Sequence, residues 1–298
     1  MKAIVCEGYG SSDLLKIKES PIPTVKPNEL LIKIKATTVA SGDCVVKNAA
    51  NPFVKIAFGL TRPRNPILGT DLAGVVEQVG KNVGTYKIGD RVIASTGMKF
   101  GCHAEYISLN EKKAITVIPE NLSYEEAVTL AFGGTAALHY LKKVAIDKQT
   151  KILIYGASGA VGSSSIQLAK YFGAEVTGVC SAKNSKMVKS LGADHVLDYT
   201  TDDLKMNLEK YDYIFDAVGK TAKKDWQNAL KDEGNFATIA KGLVRASSSD
   251  LSRLVELAGN GQIKPVVDRV YQMSQIKEAY TYVESGRKKG NVVIKISE

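Results

Sequence analysis

The chain has 298 residues, 44% hydrophobic and 24% charged, with a formal net charge of +9. That is enough for one large or two ordinary domains in the composition of a soluble globular protein, and no apolar run approaches the roughly 18 residues of a membrane span. The positive charge is dispersed in clusters as short as Lys142-Lys143 and Lys223-Lys224, with no interleaved aromatics, recognition-helix motif or zinc-finger spacing, which argues against a nucleic-acid partner.

The first ten residues, MKAIVCEGYG, read as an apolar strand without the charged-then-apolar layout of a secretory signal. A mature cytoplasmic protein is expected. Cys6, Cys44, Cys102 and Cys180 form no Cys-x-x-Cys pair, which points to a reducing compartment and away from disulfides or structural zinc. The N-terminal part is β-rich, with short apolar segments at 30–34, 73–79, 91–94 and 105–109 separated by Gly, Pro, Asn and Asp. Ser123-Tyr124-Glu125-Glu126 is a capping box that predicts a helix over 127–132, followed by a second over 135–144. Predicted strands at 152–155, 176–180, 195–197, 213–216 and 236–239 then alternate with helices, the signature of a doubly wound parallel sheet. Short strands return from residue 262, the last over 291–296. The simplest division is a β-rich domain of residues 1–122 and 262–298, interrupted by a nucleotide-binding domain of residues 123–261.

The strongest single signal lies after the strand at 152–155. Ala157-Ser158-Gly159-Ala160-Val161-Gly162 is the dinucleotide-binding fingerprint with alanine in place of its first glycine. Ala157 is expected at the tight turn, Gly159 where the backbone approaches a pyrophosphate, and Gly162 where the new helix packs close on the sheet. The helix N-terminus offers unpaired N–H groups and a positive dipole end to phosphates. An NAD-type site ends its second strand in Asp or Glu, which accepts hydrogen bonds from the ribose 2′-hydroxyl. Here that strand ends in Cys180, followed by Ser181, Ala182, Lys183, Asn184, Ser185 and Lys186. Hydroxyl, amide and ammonium groups suit a 2′-phosphate through charge-assisted hydrogen bonds, so the expected cofactor is NADPH.

Several separate motifs now stand in order. ILGTDLAGVVEQVG (67–80), Gly89-Asp90-Arg91-Val92, the 157–162 turn and KSLGADHVLDY (189–199) resemble the medium-chain dehydrogenase/reductase superfamily, in its zinc-free quinone oxidoreductase-like branch. The resemblance covers almost the whole chain. It implies a GroES-like β-rich catalytic domain joined to a Rossmann domain, and an NADPH-dependent transfer of hydride to a quinone or α,β-unsaturated carbonyl. It also implies that the catalytic zinc ligands of related alcohol dehydrogenases fall on Ala40 and Thr70, neither a usual ligand. His103, in a glycine-rich loop beside Cys102, reads as a polar loop residue.

By the same resemblance Thr135 lies near the nicotinamide carboxamide, Ser158 to Gly162 hold the pyrophosphate, and Ser181, Lys183 and Asn184 hold the 2′-phosphate. Tyr199 lies against the adenosine, while Val218 and Gly219 line the cofactor groove. Ser41 and Asp43 are candidates for the substrate cleft. Ala40 and Val45 stand where the branch often has Asn and Tyr, so the proton donor is not identified. Relatives also carry a sixth sheet strand, often paired across a dimer axis, where Lys241 to Ala246 here run almost directly into the helix cap Ser247 to Asp250. The familiar homodimer is therefore put in question. A non-enzymatic NADPH-binding sensor or structural protein of the same fold is the alternative.

Overall fold

The computed structural model describes residues 1–200, 209–242 and 244–297. These fall into two compact units, Met1–Phe132 with Ala246–Val255 and Val267–Glu298, and Gly133–Arg245 with Glu256–Val266.

In chain order the elements begin with strands β1 (Lys2–Cys6), β2 (Leu15–Glu19) and β3 (Glu29–Val39), then helices α1 (Ser41–Asn48) and α2 (Pro52–Phe58). Strands β4 (Asp71–Val79), β5 (Arg91–Ser95), β6 (Tyr106–Asn110) and β7 (Ala114–Val117) lead to helix α3 (Tyr124–Thr129). Next come α4 (Thr135–Leu141), β8 (Lys151–Tyr155), α5 (Ala160–Tyr171), β9 (Glu175–Cys180), α6 (Ser185–Ser190), β10 (His195–Asp198), β11 (Tyr211–Asp216) and β12 (Leu230–Thr238). The chain closes with α7 (Ser248–Gly259), β13 (Val267–Gln272), α8 (Ile276–Glu284) and β14 (Asn291–Lys295).

In the first unit β3 is the centre of a mixed sheet ordered β13-β14-β3-β4-β5-β7, with β6 also pairing to β3 and a separate β1-β2 ribbon. Ile32, Leu72, Val92 and Ile294 from this sheet join Tyr280 of α8 in one buried core, each side chain contributing about 1.5–3 kcal/mol. Helix α3 packs on β3 and β4, whereas a boundary at residue 123 assigns it to the nucleotide-binding part. Its start is closed by a reciprocal pair: Ser123 N–H donates to Glu126 Oε2 at 3.0 Å, and Glu126 N–H donates to Ser123 Oγ at 3.2 Å. That satisfies two helix-end donors. Helix α3 stops at Thr129, and a π-helical turn, Leu130–Gly134, leads into Thr135. The helices α1 and α2 lie between the apolar segments at 30–34 and 73–79, where the sequence has the texture of a loop.

The second unit is a five-stranded, wholly parallel sheet ordered β10-β9-β8-β11-β12. Its inner strands are near-continuous apolar runs, as in Ile152, Leu153 and Ile154, which suits strands covered on both faces. Strand order reverses between β8 and β11, the place where open α/β sheets bind ligands beyond their carboxyl ends. Tyr155 pairs with Asp216, so the chain leaves β8 and β11 side by side. Among the described residues no sixth strand follows β12. Leu243 of the short 240s segment lies outside the described residues, and α7 is capped by Asp250 N–H on Ser247 Oγ at 3.1 Å.

Candidate functional site

The turn after β8 runs over Gly156, Ala157 and Ser158 and is closed by Gly159 N–H on Gly156 O at 3.1 Å, so Ala157 lies in it as expected. Gly156 has φ +80 and a Cβ there would lie 2.1 Å from Val218 Cγ2, whereas Ala157 is fully buried. The left-handed residue of the turn is Gly156, one position before the fingerprint begins. Both Gly156 and Ala157 donate N–H to Val179 O at 3.0 Å, which anchors the turn to β9. At Gly162 a Cβ would lie 2.2 Å from Gly156 O. That close approach brings the first turn of α5 over the loop and leaves its N–H groups without intrahelical acceptors. The stretch from Ser158 through Ala160 and Val161 thus lies at a helix N-terminus, the kind of backbone that can receive a phosphate.

The end of β9 lies next to it. Ser181 and Asn184 are buried while Lys183 is exposed, and Asn184 Nδ2 donates to Ser158 Oγ at 3.0 Å. Asn184 Oδ1 is buried, with no partner among the described residues. A hydroxyl both donates and accepts, so the amide can turn over at Ser158 and present either its oxygen or its NH2 group to a ligand. The ring of Tyr199 is half-exposed, 6.3 Å from that of Tyr155.

A residue that sequence reading passed over holds the facing turn. Asp216 is fully buried. Its Oδ1 accepts from Val218 N–H at 2.9 Å and Gly219 N–H at 2.8 Å, and its Oδ2 accepts from Thr221 N–H at 2.6 Å and Thr221 Oγ1 at 2.9 Å. An acidic residue closing an apolar strand was the available signal. Thr135 is buried at the start of α4, which packs on α5.

The substrate-side candidates belong to the first unit. Ser41 borders an open groove of about 410 Å³. Asp43 is completely buried and braces two backbone segments, accepting from Ala40 N–H at 2.8 Å and Gly69 N–H at 3.3 Å. Its carboxyl lies in the core, and burial pushes it up to about 7. Asp71, also buried, accepts from Thr70 Oγ1 at 3.0 Å and Thr38 Oγ1 at 3.4 Å, and burial lifts it to about 7 as well. His103 lies in the loop before β6, as read, and is buried there. Its Nε2 lies 3.0 Å from Thr38 O, and a carbonyl only accepts, so Nε2 carries the hydrogen and Nδ1 faces Tyr280 Oη at 3.5 Å. Burial holds the ring down to about 4. Among the described residues no three His, Cys, Asp or Glu side chains are grouped to hold a metal ion.

Residues 26–120 match the family described as alcohol dehydrogenase GroES-like domain, and residues 160–264 and 241–294 match families described as zinc-binding dehydrogenase. The 2-methylene-furan-3-one reductase of Solanum lycopersicum is 32% identical, over 99% of this chain and 79% of its own. The chain belongs to the medium-chain dehydrogenase/reductase superfamily, in its quinone oxidoreductase-like branch.

Other members of the superfamily agree. The chloroplastic NADPH-dependent alkenal/one oxidoreductase of Arabidopsis thaliana is 31% identical over 99% of this chain and 79% of its own. The solved quinone oxidoreductase of Coxiella burnetii is 26% identical, with a TM-score of 0.87 over 100% of this chain and 99% of that one. As in the superfamily at large, the second unit is a nicotinamide-dinucleotide oxidoreductase fold. The turn fits such a cofactor, because a helix N-terminus with no Cβ at Gly159 would offer its N–H groups to a pyrophosphate.

Proposed function

We propose that the protein is an NADPH-dependent reductase that delivers hydride to a quinone or to the β-carbon of an α,β-unsaturated carbonyl, without zinc. The observation that carries the reading is the end of β9, where buried Cys180, Ser181 and Asn184 stand beside exposed Lys183 and the run from Cys180 to Lys186 holds no carboxylate of its own, the neighbouring acid being Asp198 of β10, paired in register with Cys180. The names of the tomato reductase and the Arabidopsis oxidoreductase support the acceptor class. Within this reading Ser158, Gly159, Ala160, Val161 and Gly162 hold the pyrophosphate, and Ser181, Lys183 and Asn184 hold the 2′-phosphate. Tyr199 borders the adenosine, Val218 and Gly219 the groove, and Thr135 the carboxamide.

The bound dinucleotide supplies the hydride, and the chain contributes orientation and exclusion of water. A catalytic zinc does not fit the residues at the family's ligand positions. Ala40 has no donor atom, Thr70 spends its hydroxyl on Asp71, and His103 Nε2 is committed to Thr38 O. Calorimetry with NADPH and NADH, turnover of an alkenal and a simple quinone, and elemental analysis test the proposal together. The expected result is preference for NADPH, turnover of either acceptor and no stoichiometric zinc. Equal or tighter binding of NADH, or stoichiometric zinc, overturns it. Tight NADPH binding without turnover across a broad acceptor panel marks instead a non-enzymatic dinucleotide-binding protein.

A further inference from the structure

Helix α2 and the turn after it carry apolar side chains that the first unit leaves uncovered. Phe53, Ile56 and Leu60 are 76%, 62% and 75% exposed, with Phe53 and Ile56 on one face of α2. The segment is held from behind and does not turn these groups inward. Phe58 packs edge-on against Phe100 at 5.6 Å between ring centroids. Tyr9 Oη donates to Gly59 O at 2.6 Å, and Arg64 N–H donates to Phe58 O at 2.6 Å. Asn65 Nδ2 donates to Lys99 O at 2.8 Å, which brings in the adjoining Met98, 54% exposed.

Charge completes the pattern. No Asp or Glu occurs between Asp43 and Asp71, while Lys55, Arg62, Arg64 and Lys99 are all exposed. Lys47, the other cation of this stretch, is buried and paired with Glu284 at 2.6 Å. Glu7, the acid whose carboxylate feels Arg62, is already ion-paired with Lys18. Protruding apolar side chains among cations that form no ion pair among the described residues match a lipid surface, where the apolar groups enter the acyl boundary and the cations meet anionic headgroups.

We propose that α2 and residues 59–64 dock the protein on a membrane surface bearing anionic phospholipid. The inference is independent of the reduction chemistry. The test is flotation of the full chain with vesicles of phosphatidylcholine alone and of phosphatidylcholine mixed with phosphatidylserine, at low and high salt. The expected bound fraction is about tenfold higher on the mixed vesicles and falls with salt. Phe53→Ser/Ile56→Ser/Leu60→Ser and, separately, Arg62→Gln/Arg64→Gln each lower it by about tenfold, with circular dichroism unchanged. Should the triple variant unfold, Leu60→Ser alone, in the turn, carries the apolar arm. Absence of binding, equal binding to both vesicle types, or binding that neither variant weakens overturns the proposal. So does concentration-dependent self-association that the triple variant abolishes in a protein that leaves vesicles unbound, since the face then meets a second copy.

Discussion

The side-chain amide of Asn184 donates to the hydroxyl of Ser158 at 3.0 Å, tying the segment after β9 to the turn after β8. If this pair orders the proposed phosphate site, Asn184→Ala weakens NADPH binding by about tenfold, the loss of roughly one charge-assisted hydrogen bond. Asn184→Asp places a like charge at the proposed 2′-phosphate site and penalises NADPH more than NADH. Titration calorimetry with both dinucleotides reads the difference, and unchanged affinity in both variants removes Asn184 from the site.

Gly156→Ala meets two obstacles, the left-handed φ of +80 and the Val218 methyl 2.1 Å from the new Cβ. A loss of about 2 kcal/mol is expected, with weaker dinucleotide binding. Adding Val218→Ala recovers the steric part and leaves the backbone part. Thermal melts of the single and double variants separate the two contributions.

Asp216→Ala withdraws the acceptor from three backbone N–H groups and the Thr221 hydroxyl. Leaving such donors unpaired costs about 3 kcal/mol. Asp216→Asn keeps one acceptor oxygen and costs less. Chemical denaturation ranks the three proteins, and an alanine variant as stable as the parent contradicts the clamp.

Burial raises Asp43 and Asp71 from 3.8 to about 7, with Asp43 adding to the rise at Asp71. Between those values the folded protein keeps protons that the unfolded chain has released. The contribution of the neutral carboxyls is therefore full below 3.8 and lost as pH rises through about 7. His103 works in the opposite direction. Its ring, held from 6.5 down to about 4, stays neutral in the fold while the unfolded chain binds a proton, so stability falls as pH drops below 6.5. Asp71→Asn, neutral at every pH, is expected to gain on the parent by about 1–3 kcal/mol more above the raised value than well below it. Denaturant titrations on the two sides of that value check the difference, and a pH-independent offset counts against a buried neutral Asp71.

The parallel sheet was readable because its signals are local. Apolar runs, a glycine turn and a capping box each lie within a few residues, and Ser123 with Glu126 closes α3 as its spacing predicts. Helices α1 and α2 were not readable: Pro52 and the flanking Asn and Ala residues give the texture of a loop, and α1 is closed at its start by the contact between Asp43 and Ala40. The acid-free stretch around α2 was visible in the chain, but its uncovered apolar face was not.

Sequence alone determined the Rossmann alternation, the small-residue turn at 157–162 and the acid-free run from Cys180 to Lys186, since each depends on neighbours along the chain. Only the tertiary structure decided that Gly156 is the left-handed residue of the turn, that Asp43 is core and that the His103 ring is engaged on both nitrogens. Those outcomes depend on Val218, on Gly69, on Thr38 and on Tyr280, partners 26 to 177 residues distant for Asp43 and His103. Burial sets the protonation of such groups, and burial is a property of the folded chain that residue spacing does not encode.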